Sequence, residues 1–308
     1  MGSTGALMRA EKLKAGKFPV DTALVERLVA AQFPHWAGLP VRPVAEDGWD
    51  NWTFRLGDTM KVRLPSAEGY AAQADKEARW LPRLAPQLPV PVPVPLGVGR
   101  PAEGFPWTWS VYEWIAGAPA TRAGVTDLTR FARDVAGVLA ALQRIDAAGG
   151  PPPGPHNFFR GAPPMRIYED EARRGVEALA GAIDTAAAHR LLDAARAAQW
   201  NEAPVWVHGD IAVGNLLVRH GRLSAVIDFG CMAVGDPACD LVLAWLFLEG
   251  ESREAFRTAV AADAGTWVRA RAWALWKAAI VLASGGVANP AEAPPLAVIR
   301  SVLAEHGG

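Results

Sequence analysis

Residues Val205–Gly230 read VWVHGDIAVGNLLVRHGRLSAVIDFG, and the reading of the whole chain turns on them. The stretch holds His208-Gly209-Asp210, an asparagine five residues after that aspartate (Asn215), and Asp228-Phe229-Gly230 at the end of an apolar run. Phosphoryl transfer from a nucleotide needs a carboxylate to orient and deprotonate a hydroxyl, and oxygen ligands to hold Mg²⁺ against the phosphates. Asp210, Asn215 and Asp228 supply those types in the required order. Their joint occurrence at this spacing is expected by chance on the order of once in 10⁵ such chains. Either aspartate alone would read as a turn cap, a common place for that residue.

The residues between them support the chemistry. Val205–Val207 is β-branched and aromatic, which puts His208-Gly209-Asp210 at a strand end or loop. Leu216–Val218 and Leu223–Ile227 flank Arg219-His220-Gly221-Arg222 and predict a hairpin with a glycine-containing turn. A hairpin returns the chain on itself, so Asp228 should end beside Asn215, where both can reach one cation.

On these motifs the chain resembles the aminoglycoside phosphotransferase family, small-molecule kinases that share the fold of protein kinases. The resemblance runs from about Gly48 to about Ile280 and includes Gly235-Asp236-Pro237 with Asp240-Leu241, where the second aspartate has a structural role. It implies Asp210 as catalytic base, His208 as support of the catalytic loop, Asn215 and Asp228 as Mg²⁺ ligands, and ATP or GTP as donor. It also implies an α+β, bilobal fold: a small antiparallel-sheet lobe with one helix, a larger helical lobe, and the nucleotide between them. On that basis residues 1–17 read as a flexible lead, 18–115 as the nucleotide-binding lobe and 116–308 as the helical lobe with the acceptor site.

Two departures from protein kinases follow from the residues. Gly209 stands where they carry the arginine of HRD, which removes the partner for a phosphate on an activation loop. Only Cys231–Gly235 separates Asp228-Phe229-Gly230 from Asp236-Pro237, and a peptide-docking segment does not fit there. The following run, Leu241–Leu248, reads as a buried helix. A small acceptor is expected.

In the N-terminal half, Trp52–Leu56, Gly57-Asp58 and Thr59–Leu64 read as strand, tight turn and strand. The preceding loop, Gly48-Trp49-Asp50-Asn51, would cover the phosphates, although without GxGxxG it also reads as an ordinary hairpin loop. Alternation puts Lys61 and Arg63 on one strand face and Val62 and Leu64 on the other. The resemblance assigns Arg63 to the phosphate-pairing position and Glu77, on a helix over Gln73–Leu84, to its partner. A solvated strand charge and a helix-start acid are the plainer alternatives. LPVPVPVP (Leu88–Pro95) reads as a stiff connection into a strand at Leu96–Val98. WTWSVYEWI (Trp107–Ile115) reads as the last strand and hinge, with backbone groups at Tyr112, Glu113 and Trp114 facing the base.

The chain has 308 residues, a formal charge of −1 and a pI near 6.6, which argue against a nucleic-acid partner. No apolar run reaches membrane-spanning length, the start lacks a signal-peptide core, and the two cysteines, Cys231 and Cys239, suit a reducing, cytoplasmic setting. Further helices are expected over Asp127–Ile145, Tyr168–Leu179, Ala186–Gln199 and Trp267–Leu282.

The family implies an antibiotic acceptor, an aminoglycoside first and a macrolide second. Choline- and homoserine-type alcohols are further alternatives, and a nucleotide-binding pseudokinase is the different class. Polycation binding would use carboxylates, for which Asp170, Glu171, Glu249 and Glu251 are candidates, with Trp273 as a face for a sugar ring. Solvated helix acids and a core tryptophan are the competing readings of those residues.

Overall fold

A computed structural model describes residues 3–45, 47–286 and 288–307. The chain divides into two compact units, residues 1–86 with 91–116, and residues 87–90 with 117–308.

The first unit contains α1 (Ser3–Lys14), α2 (Thr22–Gln32), β1 (Val41–Pro43), β2 (Asn51–Leu56), β3 (Met60–Pro65), α3 (Glu68–Leu84), β4 (Pro95–Gly99) and β5 (Trp109–Glu113). The strands form one antiparallel sheet in the order β1-β2-β3-β5-β4. Its two faces separate by alternation. Trp52, Phe54 and Leu56 of β2, Val62 and Leu64 of β3, and Trp109 and Val111 of β5 pack with Leu24, Val25, Leu28 and Val29 of α2 into one core. Lys61, Arg63 and Tyr112 lie on the other face, where Arg63 and Tyr112 meet Glu77 of α3. Helix α3 starts at Glu68, five residues ahead of the expected Gln73.

The lead expected to be flexible contains helix α1; its residues 1 and 2 lie outside the described residues. Lys12 is fully buried. Its Nζ donates to Asp47 Oδ2 at 2.6 Å and to the Asn51 carbonyl at 2.7 Å, and lies 4.3 Å from the Trp52 ring centroid. Burial lowers the Lys12 pKa, and Asp47 opposes that shift. The partner is 35 residues away, so the basic run around Lys12 reads as solvated until the fold brings Asp47 to it.

The second unit begins with β6 (Ala118–Pro119) and α4 (Leu128–Arg144), then α5 (Pro164–Ile167), α6 (Glu169–Glu177), α7 (Thr185–Ala197) and β7 (Val205–Val207). It continues with β8 (Leu216–Arg219), β9 (Arg222–Val226), β10 (Ala233–Gly235), α8 (Leu243–Leu246), α9 (Gly250–Val260), α10 (Ala264–Ala283) and α11 (Pro295–Gly307). Helices α4, α7 and α10 start on aspartate caps: Asp127, Asp184 and Asp263 accept the N–H of Arg130, Ala187 and Thr266. Such caps satisfy amide donors that the first turn leaves open. Phe131, Val135, Val138 and Leu142 make the buried stripe of α4. The helix expected over Leu241–Leu248 is a single turn, α8, because a 3-10 segment, Pro237–Leu241, occupies its approach and Glu249 already starts α9. Among the described residues no helix is long and apolar enough to cross a membrane.

A buried ion pair ties the segment after Gly235 to α10. Arg269 donates from Nε to Asp236 Oδ2 at 2.6 Å and from a terminal nitrogen to Oδ1 at 3.2 Å, with both side chains 1% exposed. Its other donors reach the Ala198 carbonyl and the Thr266 hydroxyl. Removing one member of such a pair strands a buried charge, whereas replacing both with apolar groups removes the problem. Arg269→Ala should therefore destabilise the fold by about 3–5 kcal/mol. Urea unfolding should show the Asp236→Leu/Arg269→Met double variant losing less than Arg269→Ala. Equal losses would contradict the assignment of the cost to the stranded carboxylate.

Candidate active site

The His208-Gly209-Asp210 loop is held from below by one carboxylate. Asp240, fully buried, accepts the backbone N–H of His208 on Oδ2 and that of Gly209 on Oδ1, each at 2.7 Å. Burial pushes its carboxyl pKa up, and these two donors act against that shift. His208 is also fully buried, with Nε2 3.0 Å from the Ile227 carbonyl and Nδ1 3.2 Å from the Asp210 amide nitrogen. A carbonyl can only accept and an amide N–H only donates, so the ring is a neutral imidazole with its proton on Nε2. Its ring packs at a steep angle against that of Phe229, 4.5 Å between centroids, which joins the His208-Gly209-Asp210 motif to the Asp228-Phe229-Gly230 motif.

Gly209 has φ +84°, and a Cβ there would fall 2.3 Å from the Cys231 carbonyl oxygen and 2.9 Å from Arg160 Cβ. The position excludes any side chain, the arginine of protein kinases included.

The predicted hairpin forms: β8 and β9 pair from Leu216↔Val226 to Arg219↔Arg222. Its two-residue turn, His220-Gly221, has positive φ at both positions (52° and 77°), as a type I′ turn requires. The Ile227 N–H donates to the Asn215 carbonyl at 2.9 Å, so Asn215 and Asp228 flank the same end of the hairpin. The Asn215 amide nitrogen donates to the Asp210 carbonyl and to Asp210 Oδ2, both at 2.9 Å. These bonds fix the orientation of the amide and leave its oxygen as a ligand atom. Asp210 Oδ1 accepts no hydrogen bond among the described residues. Asp228 is half-buried and adopts φ +64°, a left-handed conformation uncommon for a residue other than glycine. An amide oxygen beside a carboxylate is a hard-oxygen donor set of the kind Mg²⁺ takes while keeping water and phosphate oxygens. Among the described residues no group of three or more His, Cys, Asp or Glu side chains forms an alternative metal site.

In the first unit, Arg63 lies between Thr53 and Ser110 on the neighbouring strands, with its guanidinium 3.5 Å from Glu77 Oε1. The Tyr112 hydroxyl donates to the other Glu77 oxygen. Burial raises the Tyr112 pKa well above its ordinary value, followed by the nearby Glu77 charge, so the hydroxyl stays a donor. Tyr112 entered the sequence reading through its backbone; its side chain turns out to hold Glu77. Asn51 is buried at the start of β2, where its carbonyl receives Lys12. The loop before it is pinned by Ser66 Oγ to the Trp49 carbonyl and by Gln73 to Asp50. The Trp114 N–H is engaged with the Thr59 carbonyl at 2.7 Å, so it is not open to a base; Glu113 is exposed.

The acceptor candidates are not drawn together as a set of open carboxylates. Glu249 pairs with Arg122, and Glu171 accepts the Trp276 indole N–H at 2.7 Å. Asp170 and Glu251 are exposed in the first turns of α6 and α9. Trp273 is 2% exposed and packs edge-on against Tyr168 and Trp276, so it offers no open face to a sugar. Arg160 and Asn157 were not singled out from the sequence, because they follow a proline-rich loop that carries no periodic signal. Asn157 donates to the carbonyls of Arg160 and Cys231, which fastens its loop to the segment after Gly230.

No curated protein matches the chain in sequence. Among solved structures, the chain is similar to the GDP and kanamycin complex of APH(2")-IIia, at 17% identity and a TM-score of 0.62 over 92% of this chain and 98% of that one. It is similar to the streptomycin-ATP-APH(2")-IIa ternary complex at 16% identity and a TM-score of 0.58, over 94% and 96%. The apoenzyme of macrolide 2'-phosphotransferase MphH from Brachybacterium faecium gives 24% identity and a TM-score of 0.60, over 93% and 97%. At these identities the likeness is one of fold, and it bears out the α+β kinase-like arrangement. Residues 41–275 match the model of the phosphotransferase enzyme family, APH, a span that contains Arg63, Glu77, Tyr112, His208, Asp210, Asn215 and Asp228. The chain belongs to that family.

Proposed function

We propose that the protein transfers the γ-phosphoryl group of ATP or GTP to a hydroxyl of a small-molecule acceptor. The observation that carries this reading is the Asp210–Asn215–Asp228 arrangement. One Asp210 oxygen is held by the Asn215 amide and the other is left to accept a proton, while Asn215 and Asp228 flank the same end of the hairpin. In the reaction the acceptor oxygen bonds to the γ-phosphorus as the bridging oxygen–phosphorus bond breaks. The hydroxyl proton passes to Asp210 Oδ1, and the nucleoside diphosphate leaves. Asn215 and Asp228 would hold Mg²⁺, which when bound neutralises charge on the phosphate oxygens. Arg63, steadied by Glu77 and through it by Tyr112, would pair with the donor phosphates. An arginine there forks onto two oxygens where a lysine offers a point charge.

An antibiotic acceptor is the finer reading, supported by solved relatives whose names carry aminoglycosides and macrolides. Within this chain the aminoglycoside form has lost part of its argument, since Glu249 and Glu171 are engaged internally. That observation favours the second reading, an acceptor bound without a row of carboxylates.

Asp210→Ala should lower turnover by about 10²–10⁴-fold with nucleotide binding retained, in a phosphoryl-transfer assay paired with calorimetry. Near-unaltered transfer would remove Asp210 from the mechanism. Asp228→Ala should abolish the dependence of nucleotide affinity on Mg²⁺, and titrations of the variant that still respond to Mg²⁺ would refute the ligand assignment. Tyr112→Phe should raise the nucleotide KM by about tenfold with a smaller effect on kcat, since it frees one hydrogen bond on a charged group. Unchanged KM with a lower melting temperature would reduce Tyr112 to a packing role.

A further inference from the structure

Arg160 has a position and a set of contacts that the steps above leave unused. It follows Phe158 and Phe159, two consecutive residues with left-handed backbone, φ 51° and 54°. Neither is glycine, and such conformations persist where surrounding contacts over-determine them. The contacts here are specific. Asn157 accepts the Gly154 N–H and donates to the Arg160 and Cys231 carbonyls, and the Tyr168 hydroxyl donates to the Phe158 carbonyl. The loop is thereby shaped to present Arg160 next to Gly209 of the catalytic loop.

The guanidinium lies 4.8 Å from the Trp273 ring and 5.1 Å from the Trp276 ring, and Tyr168 stacks on Trp276 at 4.3 Å. Arg160 makes no ion pair and donates no side-chain hydrogen bond among the described residues. Its Nε is buried without an acceptor, and so is the Trp273 indole N–H. Three buried indoles of the second unit have acceptors, Trp206 on the Asp146 carbonyl, Trp245 on Glu305 and Trp276 on Glu171, while Trp200, which lies under Arg269 and apart from this cluster, also lacks one. Unmet buried donors are rare and costly, so two in one cluster with an unpaired cation indicate a missing acceptor of hydrogen bonds. The nearest carboxylate of the cluster, Glu171, is already taken by Trp276.

We infer that Arg160, with Trp273, Trp276 and Tyr168, forms a subsite for an oxyanion on the phosphoryl acceptor, a carboxylate or phosphate carried by a sugar-sized molecule. The inference rests on the reading of the chain as a small-molecule phosphotransferase and narrows its acceptor. An unpaired guanidinium beside the catalytic loop attracts a carboxylate or phosphate by charge-assisted, forked hydrogen bonds and repels a polycation.

The test uses the full chain and the emission of its tryptophans, which requires no turnover. Glucuronate, glucose 6-phosphate and glucose are titrated against the unaltered protein, Arg160→Gln and Arg160→Lys. The two anionic sugars should bind at least about tenfold more tightly than glucose, the scale of a hydrogen bond to a charged group. A response to only one of them would identify which oxyanion the subsite takes. Arg160→Gln should erase the preference and Arg160→Lys should keep part of it. Equal affinity for all three sugars, or a preference that survives in Arg160→Gln, would overturn the inference. If Arg160→Gln fails to fold, salt decides on the unaltered protein: the preference should shrink as ionic strength rises, and a salt-independent preference overturns it. Failure of the phosphotransferase reading is seen separately, as no phosphoryl transfer from ATP or GTP by the unaltered protein to any hydroxyl acceptor, and leaves the sugar titrations to stand or fall alone.

Discussion

Two backbone N–H groups on one buried carboxylate set the geometry on which the catalytic half of the chain depends. Asp240 receives His208 and Gly209 together, and that fixes the loop at the point where it would otherwise be free to twist. From there the order propagates by short steps. His208 passes it to Ile227 through its ring, to Asp210 through the ring's other nitrogen, and to Phe229 by packing. Asn215 then fixes the carboxylate of Asp210. A charge buried as deeply as Asp240 is tolerated because both of its oxygens have donors, and the donors are the backbone groups whose placement matters.

The first unit uses the same economy with different chemistry. Arg63 lies on the face opposite the core, and its planar head is held in one orientation. Glu77 does that from α3, and Tyr112 holds Glu77 from β5 by a hydroxyl kept protonated by burial. The three residues come from three elements and share one face of the sheet, opposite the core that α2 covers.

The hairpin was legible in the sequence because its signals are local: alternation in two short runs and a glycine turn between them. So was the facing of Arg63 against Val62 and Leu64, since strand period decides it. The helix ends were less legible, α3 beginning at Glu68 without a side-chain cap to announce it. What was hidden depends on partners far along the chain. Lys12 finds Asp47 and Tyr112 finds Glu77, each 35 residues away, and Asp240 finds His208 across 32. The internal partners of two carboxylates read as acceptor ligands were hidden for the same reason. Nothing near Glu249 or Glu171 in sequence announces Arg122 or Trp276 as the groups that occupy them.

The glycine at 209 also bears on what variation the loop tolerates. With the Cys231 carbonyl filling the space where a side chain would begin, the His208-Gly209-Asp210 loop and the segment after Gly230 meet backbone to backbone. Any residue larger than glycine has to push the two apart, so the join between the two motifs leaves no room for drift at this position.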